Sequence, residues 1–315
     1  MFAYIVGRVL SAIPVLAIVS LLTFVIIYFV PGDVASELAG PTATAAEIDQ
    51  IRERLGLNQP FVTRLVGWYA QLLQGDLGHS FLLNQTVTSA ILERLPVTLS
   101  ITAYALLIVL AIGMVTGIVA AVRANTWIDQ GMMAVALVGL SLPDFWLGLV
   151  MIYVFAVVLG WMPTGGYVEF TESPLGWLRM TTMPALSLAL TQVGLLARMT
   201  RSGMLDVLRQ DYVRTARAKG LPAWMVIAKH ALANVMVQVV TVVGVSVGIL
   251  LGGQIVIESV FSLPGVGRLI IGAILRRDYP VIQGGLLLTA TIFVVVNLVV
   301  DLLYAYFDPR IRYGR

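Results

Sequence analysis

Residues 9–30 read VLSAIPVLAIVSLLTFVIIYFV, a run with no charged side chain. A helix rises 1.5 Å per residue, so about 20 apolar residues cover the ~30 Å of hydrocarbon in a bilayer. Lipid offers the backbone no partner, so a continuous apolar run of this length must satisfy its own amides as a helix. Comparable runs recur at about 98–122, 132–160, 235–257 and 284–307, and a weaker one at about 183–199 carries Thr191 and Gln192. The chain is 59% hydrophobic and 12% charged, whereas soluble domains carry roughly a quarter charged residues. The expectation is an all-α polytopic membrane protein of six transmembrane helices. The first run exceeds the roughly 7–15 residues of a signal-peptide core, so it reads as a retained anchor.

Charge placement sets the direction. With the N-terminus in the cytoplasm, the inside segments are 1–8, 123–131, 198–234 and 308–315, and they hold 12 of the 20 Lys and Arg. The longer outside segments hold eight, beside 11 acids. That is the bias of a cytoplasmic side. Removing the fourth helix would put the seven bases of 198–234 outside, so the bias supports six spans with both termini inside. The expected layout is a first transmembrane helix at 1–30, an extracytoplasmic helical segment at 31–97, a core of five transmembrane helices at 98–308 and a cytoplasmic tail at 309–315. In the outer segment Ile48, Ile51 and Leu55 recur at helical spacing before Gly56.

Enzyme-like patterns fail on context. GVSVG at 244–248 resembles a serine-hydrolase elbow but lies inside an apolar helix. Gly244, Gly248 and Gly252 instead share one helix face, which suits close helix packing, and Gly113 and Gly117 suit it too. His79 and His230 fall on opposite sides of the predicted membrane, and neither has a ligand at helical spacing. No GxxxxGK[ST] occurs, so this chain is expected to bind no ATP of its own. The chain has no cysteine, which removes thiolate metal sites and disulfides.

Residues 214–222, RTARAKGLP, concentrate positive charge and then break. Over 203–219 the residues Leu205, Leu208, Tyr212 and Ala216 form one expected helical stripe, with Arg209, Arg214, Arg217 and Lys219 mostly elsewhere. Such a loop can touch anionic headgroups, or it can be a built surface that docks a cytoplasmic partner. Asp144, in SLPDFWLG, falls near the middle of the third predicted helix, where a carboxylate is expensive. It either pairs with a neighbouring helix or lines a solute path. Gln192, Gln254 and Glu258 are the further polar residues that could line that path.

DYVRTARAKGL followed by KHALAN resembles the cytoplasmic EAA loop of inner-membrane permease subunits of ABC importers, in the dipeptide, oligopeptide and nickel branch. The resemblance extends over VPGD at 30–33, LGLNQP at 55–60, GDLGHS at 75–80, RLPVTLS at 94–100, LGWMPTGGY at 159–167, LLGGQIVIESVFSLPGVGRL at 250–269, RDYPVIQG at 277–284 and VDLLYAYFDPRIR at 300–312. It implies a type I importer permease in the bacterial inner membrane that moves peptides or similar small solutes. It also implies a second homologous permease, two cytoplasmic ATPases that hold ATP and Mg, and an extracytoplasmic solute-binding protein; no nucleic acid is involved. The EAA-type loop spans 200–234, and its coupling residues would be Tyr212, Arg214, Thr215, Ala216, Arg217, Ala218, Lys219, Gly220 and Leu221. The motif's leading Glu falls at Arg214, and Gln238 stands where the branch commonly has proline. A secondary transporter or an intramembrane enzyme are the competing classes.

Overall fold

The computed structural model describes residues 2–29, 34–39, 43–54, 56, 58–80 and 82–307. The VPGD stretch at 30–33, Leu55 of the outer stripe and the tail bearing Arg310, Arg312 and Arg315 lie outside those residues. In chain order the helices begin with α1 (Phe2–Phe29), α2 (Val34–Ala39), α3 (Ala45–Arg54) and α4 (Phe61–Leu73). A two-stranded hairpin, β1 (His79–Ser80) and β2 (Gln85–Thr86), precedes α5 (Val87–Leu92) and α6 (Leu95–Ile108). A π segment, Val109–Gly113, joins α6 to α7 (Met114–Val122). Then come α8 (Trp127–Ser141), α9 (Asp144–Met151) with a π extension Ile152–Val158, and α10 (Pro174–Leu208). The chain finishes with α11 (Asp211–Ala218), α12 (Ala223–Met225), a π segment Val226–Leu232, α13 (Ala233–Val260), α14 (Val266–Leu275) and α15 (Tyr279–Phe307).

Among the described residues, five helices are long and apolar enough to cross a bilayer: Val6–Val25, Val87–Val122, Pro174–Leu208, Ala223–Val260 and Tyr279–Tyr304. Helices α8 and α9 form a sixth candidate that is bent by 101°. The third span is therefore broken rather than straight, and Asp144 opens its second half instead of sitting in mid-helix. Pro143 is the cause: it donates no amide, and it holds Leu142 in extended backbone (φ −96, ψ 132).

The fourth helix is the other correction. The sequence suggests a short span at 183–199, but α10 runs for 35 residues. Ser173 accepts a hydrogen bond from the Gly176 amide and Pro174 fills the first turn, so the start is set well upstream. Thr191, Gln192 and Arg201, which weaken its hydropathy, are bonded to side chains of neighbouring helices. The continuous stripe expected over 203–219 is also broken, because Gln210 is extended (φ −69, ψ 148) and Asp211 starts a new helix. A carboxylate in a first turn faces unpaired amides, which favours a start there.

The chain divides into two compact units. One comprises 1–9, 99–263 and 293–315. Its centre is α10, whose buried face includes Leu188, Ala189, Leu196, Ala197 and Met204. Small residues let its neighbours close in: a Cβ on Gly117 would lie 2.6 Å from the Ala197 carbonyl oxygen and the Thr200 Cβ. Arg8 and Asp301 pair at 3.1 Å in the same unit.

The other unit comprises 10–98 and 264–292. Val87, Ala90 and Ile91 of α5 pack on Leu269 and Ala273 of α14 and on Val281 of α15. Ser80 hydrogen-bonds Asp278, and the Val266 amide donates to Thr98 Oγ1 at 2.9 Å, so each joint is also tied by polar groups. Helix α1 meets α4 through Phe24, edge-on to Phe61 at 5.6 Å, and through Ser20 to the Tyr69 hydroxyl at 2.9 Å. At the start of α3, Thr44 and Glu47 form a capping box. The Thr44 amide, then its hydroxyl, hold the Glu47 carboxyl below the usual range.

Candidate functional site

The basic stretch singled out in the sequence folds into a closed helical hairpin. In α11, Val213 and Ala216 turn inward and pack with Val226, supported by Val207, Leu208 and Leu221. Just past α11 and its cap residue Lys219, Gly220 sits at φ +77. The Leu221 amide donates to the Ala216 carbonyl at 3.3 Å and the Gly220 amide to the Arg217 carbonyl at 2.9 Å. These are the two bonds of a Schellman cap, and Leu221 completes it by sitting on the small core. Pro222 then sends the chain into the next helix.

The arrangement sorts the residues named above. Ala216 and Leu221 belong to the hairpin's interior, whereas Tyr212, Arg214, Thr215, Arg217, Ala218, Lys219 and Gly220 are exposed. Arg214 approaches Asp211 at 3.6 Å with both side chains largely exposed, a contact worth little. The hairpin thus presents a basic, polar ridge on a rigid apolar base. A cavity of about 290 Å³ is lined by Val122, Leu205, Leu208 and Val226 together with Arg209 and Arg217. Gln238 lies against Gly203 of α10, and α13 runs through that position unbroken.

Two turns before the end of α10, Arg201 meets Asp129 of α8 in a two-pronged ion pair. Nε donates to Oδ1 at 2.6 Å and an Nη to Oδ2 at 2.7 Å. The Asn125 amide adds a third bond to Oδ2 at 2.8 Å. The Asp129 carboxylate is 2% exposed. Sequence reasoning counted Arg201 only as one more loop base and did not single out Asp129. The available signal was Asp129 as the one charged residue of the apolar α8, costly there without a basic partner.

The polar residues proposed for a solute path fall into three places. Gln192 is buried on α10 and accepts from Ser246 of α13 at 3.0 Å. Gln254 and Glu258, one turn apart on α13, are bonded at 3.1 Å, and Thr102 of α6 donates to the Gln254 amide oxygen. Both are essentially inaccessible in this conformation. Asp144 is half-buried, and its Oδ1 accepts from Thr191 at 2.6 Å. The glycine face of α13 also divides. A Cβ on Gly244 would lie 2.9 Å from Val300 and one on Gly248 would lie 2.6 Å from Phe293, both on α15. Among the described residues, Gly252 meets nothing within 4 Å, so the expected packing role finds no partner there.

Residues 113–313 match the family described as binding-protein-dependent transport system inner membrane component, and residues 1–102 match the N-terminal component of the same description. The chain is 50% identical over 313 residues to a Brucella abortus (strain 2308) protein whose name assigns it to a peptide transport system as a permease, covering 99% of this chain and 100% of that one. It is 44% identical to the dipeptide transport system permease protein DppB of Alkalihalophilus pseudofirmus, covering 99% and 100%. It is 43% identical to the glutathione transport system permease protein GsiC of Escherichia coli O6:H1, again covering 99% and 100%.

Proposed function

The chain belongs to the family of binding-protein-dependent transport system inner membrane components, and we propose that it is the translocation-pore subunit of an ATP-driven importer for peptides or similar small solutes. It is a multi-pass inner-membrane permease, not an enzyme. The peptide reading is supported by relatives named for peptide, dipeptide and glutathione transport, matched end to end.

In this reading ATP and Mg sit on two cytoplasmic ATPase subunits, a solute-binding protein delivers cargo from outside, and a second permease completes the pore. Both termini and the 200–234 loop face the cytoplasm. The observation that carries the coupling role is the hairpin itself: Val213, Ala216 and Leu221 lock it onto Val226, so its exposed ridge moves as one body with α10 and α13. A partner can shift a two-state equilibrium only through contacts that differ between the states. A rigid ridge joined to two spans converts such contacts into displacement of those spans. The solute path would then open near Asp144, with Gln192, Gln254 and Glu258 exchanging their present internal bonds for the path.

The test is reconstitution into liposomes, with and without the partner subunits. The full set should accumulate dipeptide on addition of ATP and binding protein, and ATPase subunits should co-purify with the chain from detergent. The lone chain should show no ATP-dependent uptake; measurable ATP-dependent uptake by it would overturn the assignment of energy transduction to partners.

A further inference from the structure

We propose that the Asp144 carboxylate, where the third span restarts beside Gly253, receives a protonated side-chain amine of the transported solute. The inference rests on the importer reading and adds the chemistry of its cargo.

The break at Leu142-Pro143 ends α8 and restarts the helix at Asp144, so this carboxylate is held at an irregular step in a span. Irregular backbone at membrane depth is tolerated where protein or water covers it, and interrupted spans are where transporters hold solutes. Thr191 donates to Oδ1 and fixes the group's orientation. Oδ2 points at α13, where a Cβ on Gly253 would lie 3.0 Å away, and the adjoining Gly252 has nothing within 4 Å. The lack of a side chain at Gly253 thus lets the α13 backbone lie next to a carboxylate oxygen. Any side chain at Gly253 would crowd it.

No Lys, Arg or His among the described residues pairs with Asp144. The contrast with Asp129 is instructive. Where the fold uses an acid as a tie, it supplies a two-pronged arginine and a backbone amide. Asp144 receives one hydroxyl. A carboxylate in a span without a counter-ion is expensive, and such groups face an aqueous path or a ligand. A neutral donor would leave the carboxylate's charge uncompensated, and an anionic group would be repelled. A protonated amine supplies both the donor and the charge. The side chain of a lysine-containing peptide carries one.

The test uses the full complex in liposomes and three labelled dipeptides, Ala-Leu, Ala-Lys and Ala-Glu. Parent and Asp144→Asn share the same binding protein, so its selectivity cancels in the ratio of variant to parent. Losing a hydrogen bond to a charged group should lower Ala-Lys uptake about tenfold relative to Ala-Glu. Asp144→Lys should reverse the preference in favour of Ala-Glu. Equal changes for all three dipeptides would overturn the proposal. So would failure of the Asn variant to co-purify with its partners, since that assigns the carboxylate to packing. A parent complex that takes up none of the dipeptides would instead sink the peptide reading, and this proposal with it.

Discussion

Gly220→Val should abolish coupled transport while the chain still inserts and accumulates in the membrane. Gly220 holds φ +77, and the space around it is open, so the cost of a side chain there is backbone strain and not collision. A residue other than glycine in the left-handed region costs about 1–3 kcal/mol, and a β-branched one is the worst case. That is roughly 5- to 150-fold in the population of the capped hairpin. Helix α11 is only eight residues long and is held by a small core, so it has little stability to lose. Without the cap, Leu221 leaves Ala216, and the ridge no longer moves rigidly with α13. Uptake should fall at least tenfold, with membrane level unchanged. Gly220→Asn, which tolerates the left-handed region, should retain most of the activity. Near-normal uptake in the Val variant would count decisively against the coupling role of this hairpin.

Much of the fold is legible in the sequence because the governing constraint is coarse. Apolar length alone finds α1, α13 and α15, and the Gly-Leu-Pro step by itself marks the hairpin. What stays hidden is decided by pairs. Helix α10 looks short and polar because Thr191, Gln192 and Arg201 each lower its hydropathy; their partners Asp144, Ser246 and Asp129 lie far away in sequence. The bend at Pro143 is visible as one option, but a proline can also kink a helix without breaking it. Gly252 repeats the spacing of Gly244 and Gly248, yet among the described residues nothing comes within 4 Å of the position its Cβ would take. Spacing identifies a face; it does not say what covers that face.

The largest stability effect is expected at the Asp129–Arg201 pair. The bonds of 2.6 and 2.7 Å satisfy both carboxylate oxygens, the Asn125 amide adds another, and Asp129 is 2% exposed. Arg201→Leu leaves that carboxylate buried without a counter-charge, an arrangement that costs about 3–5 kcal/mol. Yield and thermal stability of the purified chain should fall sharply, and Asp129→Leu should act in the same direction. Replacing both partners removes the stranded charge. Well-packed apolar pairs are often as stable as the ion pair they replace, so Asp129→Leu/Arg201→Leu should recover most of the stability lost by either single change. Transport need not recover with it. Arg201 fixes α10 to α8 about two turns before the hairpin, through directional bonds that two leucines cannot reproduce. The double variant should therefore assemble with its partners yet hydrolyse more ATP for each solute moved. Single variants as stable as the parent would show that the pair is not a tie. A double variant that is stable and fully coupled would confine its role to stability and leave the hairpin's motion to be guided by the apolar contacts of α10 and α13.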